Sequence, residues 1–156
     1  MSTVEATCFV CRKHRGEVDL PGGILYEDDL VCATHGIIPE GKRRAYLGTL
    51  FVEPCRHLPS IAELSEREAE RIGAIASRLA RALKTSERAE HVYVFGLGHH
   101  VDHLHLWLVP RYPGTPPEFW PMRLAEATGA PLGGPAEIAA LCDRLRAALE
   151  RDTVRR

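Results

Sequence analysis

The sequence predicts an α+β domain built on a five-stranded antiparallel sheet, with one long helix and a C-terminal helix. Three observations carry this. Short stretches rich in aromatic and β-branched residues cluster before residue 55 and again between 91 and 109. A strong helical repeat at 65–84 separates them, and a second repeat closes the chain. The resulting order, β-β-β-α-β-β-α, lacks the regular β-α alternation that builds a parallel sheet.

Taken in order, residues 1–23 carry Cys8-Phe9-Val10-Cys11 and a loop ending in Pro21-Gly22-Gly23. Strands at 24–27 and 30–34 flank Asp28-Asp29, a turn signal. The polar run 39–44 reads as a loop, and 46–52 as a third strand that Pro54 ends. Ser65 and Glu68 make a capping box, in which each satisfies a free backbone donor near the other. Ile72, Ile75, Ala76, Leu79 and Leu83 then define one apolar helix face, opposite a charged face expected in solvent. Strands at 91–95 and about 101–109 follow, joined by Gly96-Leu97-Gly98 in what reads as a tight connection. Residues 112–121 are rich in Pro and Gly and read as irregular. Pro135 opens the last helix, with Ile138, Leu141, Leu145 and Leu149 on one face.

The 156 residues suit a single domain over 1–156. A net charge of −1 argues against a nucleic-acid polymer as partner, because such a footprint needs a basic excess. The N-terminal apolar run is too short for a signal peptide, and no apolar stretch approaches the ~20 residues of a membrane span. A cytoplasmic protein with reduced cysteines is expected, and no membrane partner.

Histidine density is the strongest chemical signal. His99, His100, His103 and His105 lie close together. On a strand, residues two apart share a face, so His99, His103, His105 and Trp107 point one way and Leu104, Leu106 and Leu108 the other. Rings in front and leucines behind describe a strand lining a cleft. A lone histidine on such a face is usually structural; adjacent histidines with a third nearby point to function or to a metal. Cys8-x-x-Cys11 has the spacing of a zinc half-site. Two buried apolar cysteines are the plainer alternative, and a redox pair lacks the βαβ context it prefers. Cys32 and Cys142 read as core residues.

The segment His103-Leu-His105-Leu-Trp107-Leu-Val-Pro-Arg111 resembles the signature of the histidine triad (HIT) superfamily, His-x-His-x-His followed by two apolar residues and Pro-Arg. Cys8-x-x-Cys11 with Gly16-Glu17, Tyr26-Glu27-Asp28, and Glu53-Pro54-Cys55-Arg56-His57 with Leu64-Ser65-x-x-Glu68 resemble further family landmarks in the family's order. The resemblance covers about 8–112, leaving 113–156 as a C-terminal extension.

The resemblance implies chemistry at a nucleotide α-phosphate through a nucleotidyl-histidine intermediate. The third signature histidine is read as the nucleophile, and Trp107 stands there; indole has no lone pair to offer. Gly98-His99 stands where the resemblance leads one to expect Gly followed by Gln, four residues before the first triad histidine, and His35-Gly36 stands where a ribose-binding Asp is expected. The resemblance also implies a structural zinc held by Cys8, Cys11, His57 and His103, with His14 and Cys55 as the nearest alternative ligands. A zinc-bound His103 is unavailable to phosphate, which leaves His105 and His99 as catalytic candidates and His105, Trp107 and His99 as ligand-binding ones. A homodimer with a continuous sheet is implied as well. Three readings stay open. The leading one is a protein that binds a nucleotide or other phosphorylated small molecule, with nucleotidyl-histidine hydrolysis lost. The others are a nucleotide hydrolase or transferase using His105 or a neighbour, and an enzyme of another class on a repurposed pocket.

Overall fold

The computed structural model describes residues 3–98 and 101–154. The chain opens with two short helices, α1 (Thr3–Thr7) and α2 (Phe9–His14), in a stretch for which the sequence predicts no element; the loop expected after Cys11 begins only beyond His14. Cys8 sits in extended conformation at the break between them, so the two sulfurs of the C-x-x-C stand on either side of the first turn of α2.

Strands β1 (Ile24–Glu27), β2 (Val31–His35), β4 (Leu50–Pro54), β5 (His91–Phe95) and β6 (Leu106–Arg111) form the five-stranded sheet, with every neighbouring pair antiparallel in the order β1-β2-β4-β6-β5. Asp28 builds the first turn, its Oδ1 accepting from the Leu30 and Val31 amides at 2.9 Å. A two-stranded ribbon pairs β3 (Ala45–Tyr46) with β7 (Leu132–Gly133). The single strand expected at 46–52 is thus divided. Gly48 is the cause: its φ is +86°, and a Cβ there would meet Tyr112 Oη at 2.6 Å and Pro110 Cγ at 2.8 Å.

Helix α3 (Glu66–Ser86) starts at the expected capping box. Ser65 Oγ accepts from the Glu68 amide, and Glu68 Oε2 accepts from the Ser65 amide. A cap of this kind contributes about 1 kcal/mol. Its apolar face joins that of α4 (Pro135–Val154) over one side of the sheet, against Val31, Ala33, Leu50, Val52 and Leu108. Leu79, Leu83, Leu108, Ile138 and Leu145 are completely buried there. Truncating one of these to Ala costs about 2–5 kcal/mol. The opposite side of the sheet carries α2 at one end, where Lys13 reaches Thr34 and Glu53, and residues 121–125 of the C-terminal extension at the other. Between them it is open, and the candidate site lies there.

The last strand starts later than expected. Residues 101–105 leave the sheet and bond to the turn after β4: the Leu104 amide donates to Leu58 O at 2.7 Å, and His103 Nε2 donates to Pro54 O at 2.9 Å. The β5–β6 connection therefore runs over 96–105 and is not a tight turn. Among the described residues no helix is long and apolar enough to cross a membrane.

Candidate functional site

Cys8, Cys11, His57 and His103 come together with their donor atoms all within 4.8 Å of one another. His103 Nδ1 lies 3.6 Å from Cys8 Sγ and 3.4 Å from Cys11 Sγ, and His57 Nδ1 lies 3.5 Å from Cys11 Sγ. Because a carbonyl only accepts, the bond to Pro54 O places the His103 proton on Nε2 and turns the bare Nδ1 toward the sulfurs. This is how ligating histidines are usually held, with the far nitrogen anchored on a carbonyl. Burial pushes His103 down to about 4, against the opposing pull of the Pro54 carbonyl, so the ring is neutral at pH 7. Burial and the adjacent Cys8 push the Cys11 thiol up to about 11, so a bound cation is what would draw both sulfurs to the thiolate form. Of the two alternative ligands, Cys55 Sγ donates to Asp28 O and His14 Nε2 bonds Glu53 at 3.0 Å.

His105 faces away from this cluster. Its Nδ1 donates to His103 O at 2.7 Å, which leaves Nε2 as the bare nitrogen. The ring is edge-on to Phe51, with centroids 5.8 Å apart, and 6.2 Å from Trp107. His105 also lines a groove between Pro59–Ile61 and Gly96–Gly98. The alternation read from sequence thus puts His105 and Trp107 on one face, while His103 is turned inward. His99 and His100 lie outside the described residues.

Trp107 is paired across the sheet with Phe51 on β4 and Phe95 on β5. Phe51 meets it edge-on at 4.6 Å, and Phe95 lies nearly parallel at 6.1 Å. These three rings wall a cavity of about 540 Å³ that Tyr46, Thr49, Met122 and Leu124 also line. Leu97 borders both this cavity and the His105 groove, so the two lie side by side.

A model of the HIT domain matches residues 17–114, more than half of the chain. The chain belongs to the HIT family. Solved HIT-type structures share the fold. A zinc-bound histidine triad family protein from Mycobacterium smegmatis superposes with a TM-score of 0.71 at 22% identity, over 97% of this chain and 99% of that one. A Hit-like protein involved in cell-cycle regulation from Bartonella henselae gives 0.70 at 20%, over 91% and 96%. A hypothetical histidine triad nucleotide-binding protein from Sulfolobus tokodaii gives 0.70 at 19%, over 92% and 93%. Among curated proteins none matches the sequence significantly.

Two buried polar features flank this site. His35 is not a free polar group facing a ligand. Its Nδ1 donates to Gly36 O at 2.7 Å and its Nε2 accepts from the Gly48 amide at 3.0 Å, so both ring nitrogens clamp the backbone. The second feature went unread in the sequence. Lys13 and Glu53 form a fully buried ion pair at 2.6 Å, with Lys13 also donating to Thr34 Oγ1 at 3.1 Å and lying 5.2 Å from the Phe51 ring centre. Burial alone would raise the Glu53 carboxyl, but His14 and Lys13 outweigh it and hold it below the ordinary range. Nothing in the sequence assigns Lys13, and His14 reads there only as an alternative metal ligand; parity along β4, which puts Phe51 and Glu53 on the Trp107 side, is the one usable signal.

Proposed function

We propose that this HIT protein is a hydrolase or transferase acting on nucleotides or related phosphorylated small molecules, with His105 Nε2 as its nucleophile. The observation that carries this is the His105 Nδ1–His103 O hydrogen bond. It fixes the tautomer and presents a lone pair to the groove, as nucleophilic catalysis at an imidazole requires. In the reaction, Nε2 bonds to phosphorus as the bond to the leaving group breaks. Water then attacks phosphorus and releases the phosphoryl group and the ring. Trp107 has no part in that bond change and serves as a wall of the pocket.

The Cys8, Cys11, His57 and His103 set supports zinc. For zinc–sulfur and zinc–nitrogen bonds of about 2.3 and 2.05 Å, a tetrahedral S···N edge is roughly 3.6 Å; three such edges in the structure are 3.4, 3.5 and 3.6 Å. Zinc would tie the N-terminal helices to the sheet and leave no open position for chemistry. The zinc-bound M. smegmatis structure supports the same reading.

The homodimer expected from the family is proposed across β5. That strand pairs only with β6 among the described residues, and its Val94 is 53% exposed.

Binding without turnover is the second reading, and the tryptophan at the third signature position favours it. Kinetics with adenosine 5′-phosphoramidate separate the two. On the hydrolase reading, His105→Ala loses turnover by on the order of 10³ or more while ligand binding survives. Turnover that is absent from the wild type, or unchanged in His105→Ala, refutes the assignment of His105.

A further inference from the structure

We infer that the pocket beside His105 recognises the non-phosphate end of its ligand by apolar contact and not by reading sugar hydroxyls, so that the substrate class includes phosphorylated aromatic compounds bearing no sugar hydroxyls. This deepens the function proposed above and rests on its placement of the phosphate at His105.

The lining carries the argument. None of the described residues around the cavity is charged. Two have side-chain hydroxyls, and that of Tyr46 already donates to Pro110 O at 2.9 Å. Thr49 is left, together with Trp107 Nε1, a buried donor with no partner among the described residues. A sugar diol is usually read by a carboxylate acceptor, and no carboxylate lines the cavity. His35, the polar ring placed nearest in sequence to its wall at Gly36, is committed at both nitrogens.

What the cavity offers instead is aromatic and aliphatic surface. Phe51, Phe95 and Trp107 form its floor, and its rim is apolar too: Ile37, Leu97 and Met122 are 41, 43 and 60% exposed. An exposed apolar rim around a cavity of this size is a place for a ligand's apolar group. Part of this wall, Pro121 to Ala125, comes from beyond the 17–114 stretch that the family model matches. The C-terminal extension is thereby a specificity element of this chain.

The energetic consequence is asymmetric. A site built to hydrogen-bond a hydroxyl rejects an analogue lacking it by about 10⁴-fold or more, whereas an apolar pocket is nearly indifferent to the change. The test is calorimetric titration of the full metal-loaded protein with four probes: adenosine 5′-monophosphate, its 2′,3′-dideoxy analogue, 2-naphthylmethyl phosphate and ribose 5-phosphate. The first three are expected to bind within about tenfold of one another and ribose 5-phosphate at least about a hundredfold more weakly. Met122→Glu, a change at an exposed rim position, should weaken the three aromatic probes and leave ribose 5-phosphate unaffected. A hundredfold loss on removing the two hydroxyls, ribose 5-phosphate binding as well as the nucleotide, or an unchanged Met122→Glu profile would each overturn the inference. So would failure of all four probes to bind. Because the readout is binding, the expected order without any turnover would sink the hydrolase reading and leave this inference standing.

Discussion

His105 donates its Nδ1 proton to the backbone carbonyl of His103, and this one 2.7 Å bond gives two histidines two residues apart different work. The ring of His103 is turned inward to the Cys8, Cys11 and His57 donors, while its carbonyl sets the tautomer of His105 on the open side. The metal cluster and the candidate nucleophile therefore share a backbone segment, and neither ring can take over the other's role.

The cluster predicts one zinc per chain and a large contribution to stability. A ligand at a thousand times its Kd adds about 4 kcal/mol, which in a chain of this length moves the melting temperature by about 8–16 °C. Elemental analysis should find zinc in the native protein and none in Cys11→Ser. Scanning calorimetry of the two should differ by about that interval. A metal-free wild type with the same melting temperature as Cys11→Ser would contradict the site.

Stability should fall as pH drops below about 6.5, and His35 is one cause. Burial holds its pKa below the ordinary 6.5, outweighing the Gly36 carbonyl. The unfolded chain then takes up the proton first, so the stabilisation is complete above 6.5 and is lost as pH falls through and below it. Urea midpoints at pH 7.5 and 5.5 should separate further for wild type than for His35→Gln. Equal separations would show that His35 contributes nothing to acid sensitivity.

The Lys13–Glu53 pair is costly to break and cheap to replace. Glu53→Leu alone leaves a buried ammonium without its carboxylate and should cost about 3–5 kcal/mol in chemical denaturation. Lys13→Met together with Glu53→Leu should recover most of that loss, because apolar groups of similar size do not pay for desolvating charge. A double variant as unstable as the single one would mean that the pair does more than neutralise itself.

An open β5 edge predicts that Val94→Arg changes the oligomeric state. Light scattering should give twice the chain mass for the wild type and the single-chain mass for the variant, since a charge on an edge strand opposes strand addition. A dimer that is unaffected by the change places the interface elsewhere.

The sequence made the local features legible. The capping box at Ser65, the buried face of α3 and the pairing of His105 with Trp107 on one face all follow from spacing alone. It did not reveal features set by long-range contacts. Val101 to His105 have strand-like composition, yet bonds to Pro54 and Leu58 pull this stretch out of the sheet. Lysine is seldom buried, so nothing local marks Lys13 as half of an ion pair whose partner is forty residues away. His35 stands where a ligand contact was expected, but its ring serves as a clamp between Gly36 and Gly48. The wall from Pro121 to Ala125 lies in a stretch with no regular repeat to read.

The most direct test of the central claim is to trap the covalent intermediate. Wild-type protein incubated with adenosine 5′-phosphoramidate, quenched in alkali and digested, should yield the peptide containing His105 with an added adenylyl group, and His105→Ala should yield none while keeping its zinc. Steady turnover by the wild type with no adduct on His105, or with the adduct on another residue, would contradict the account.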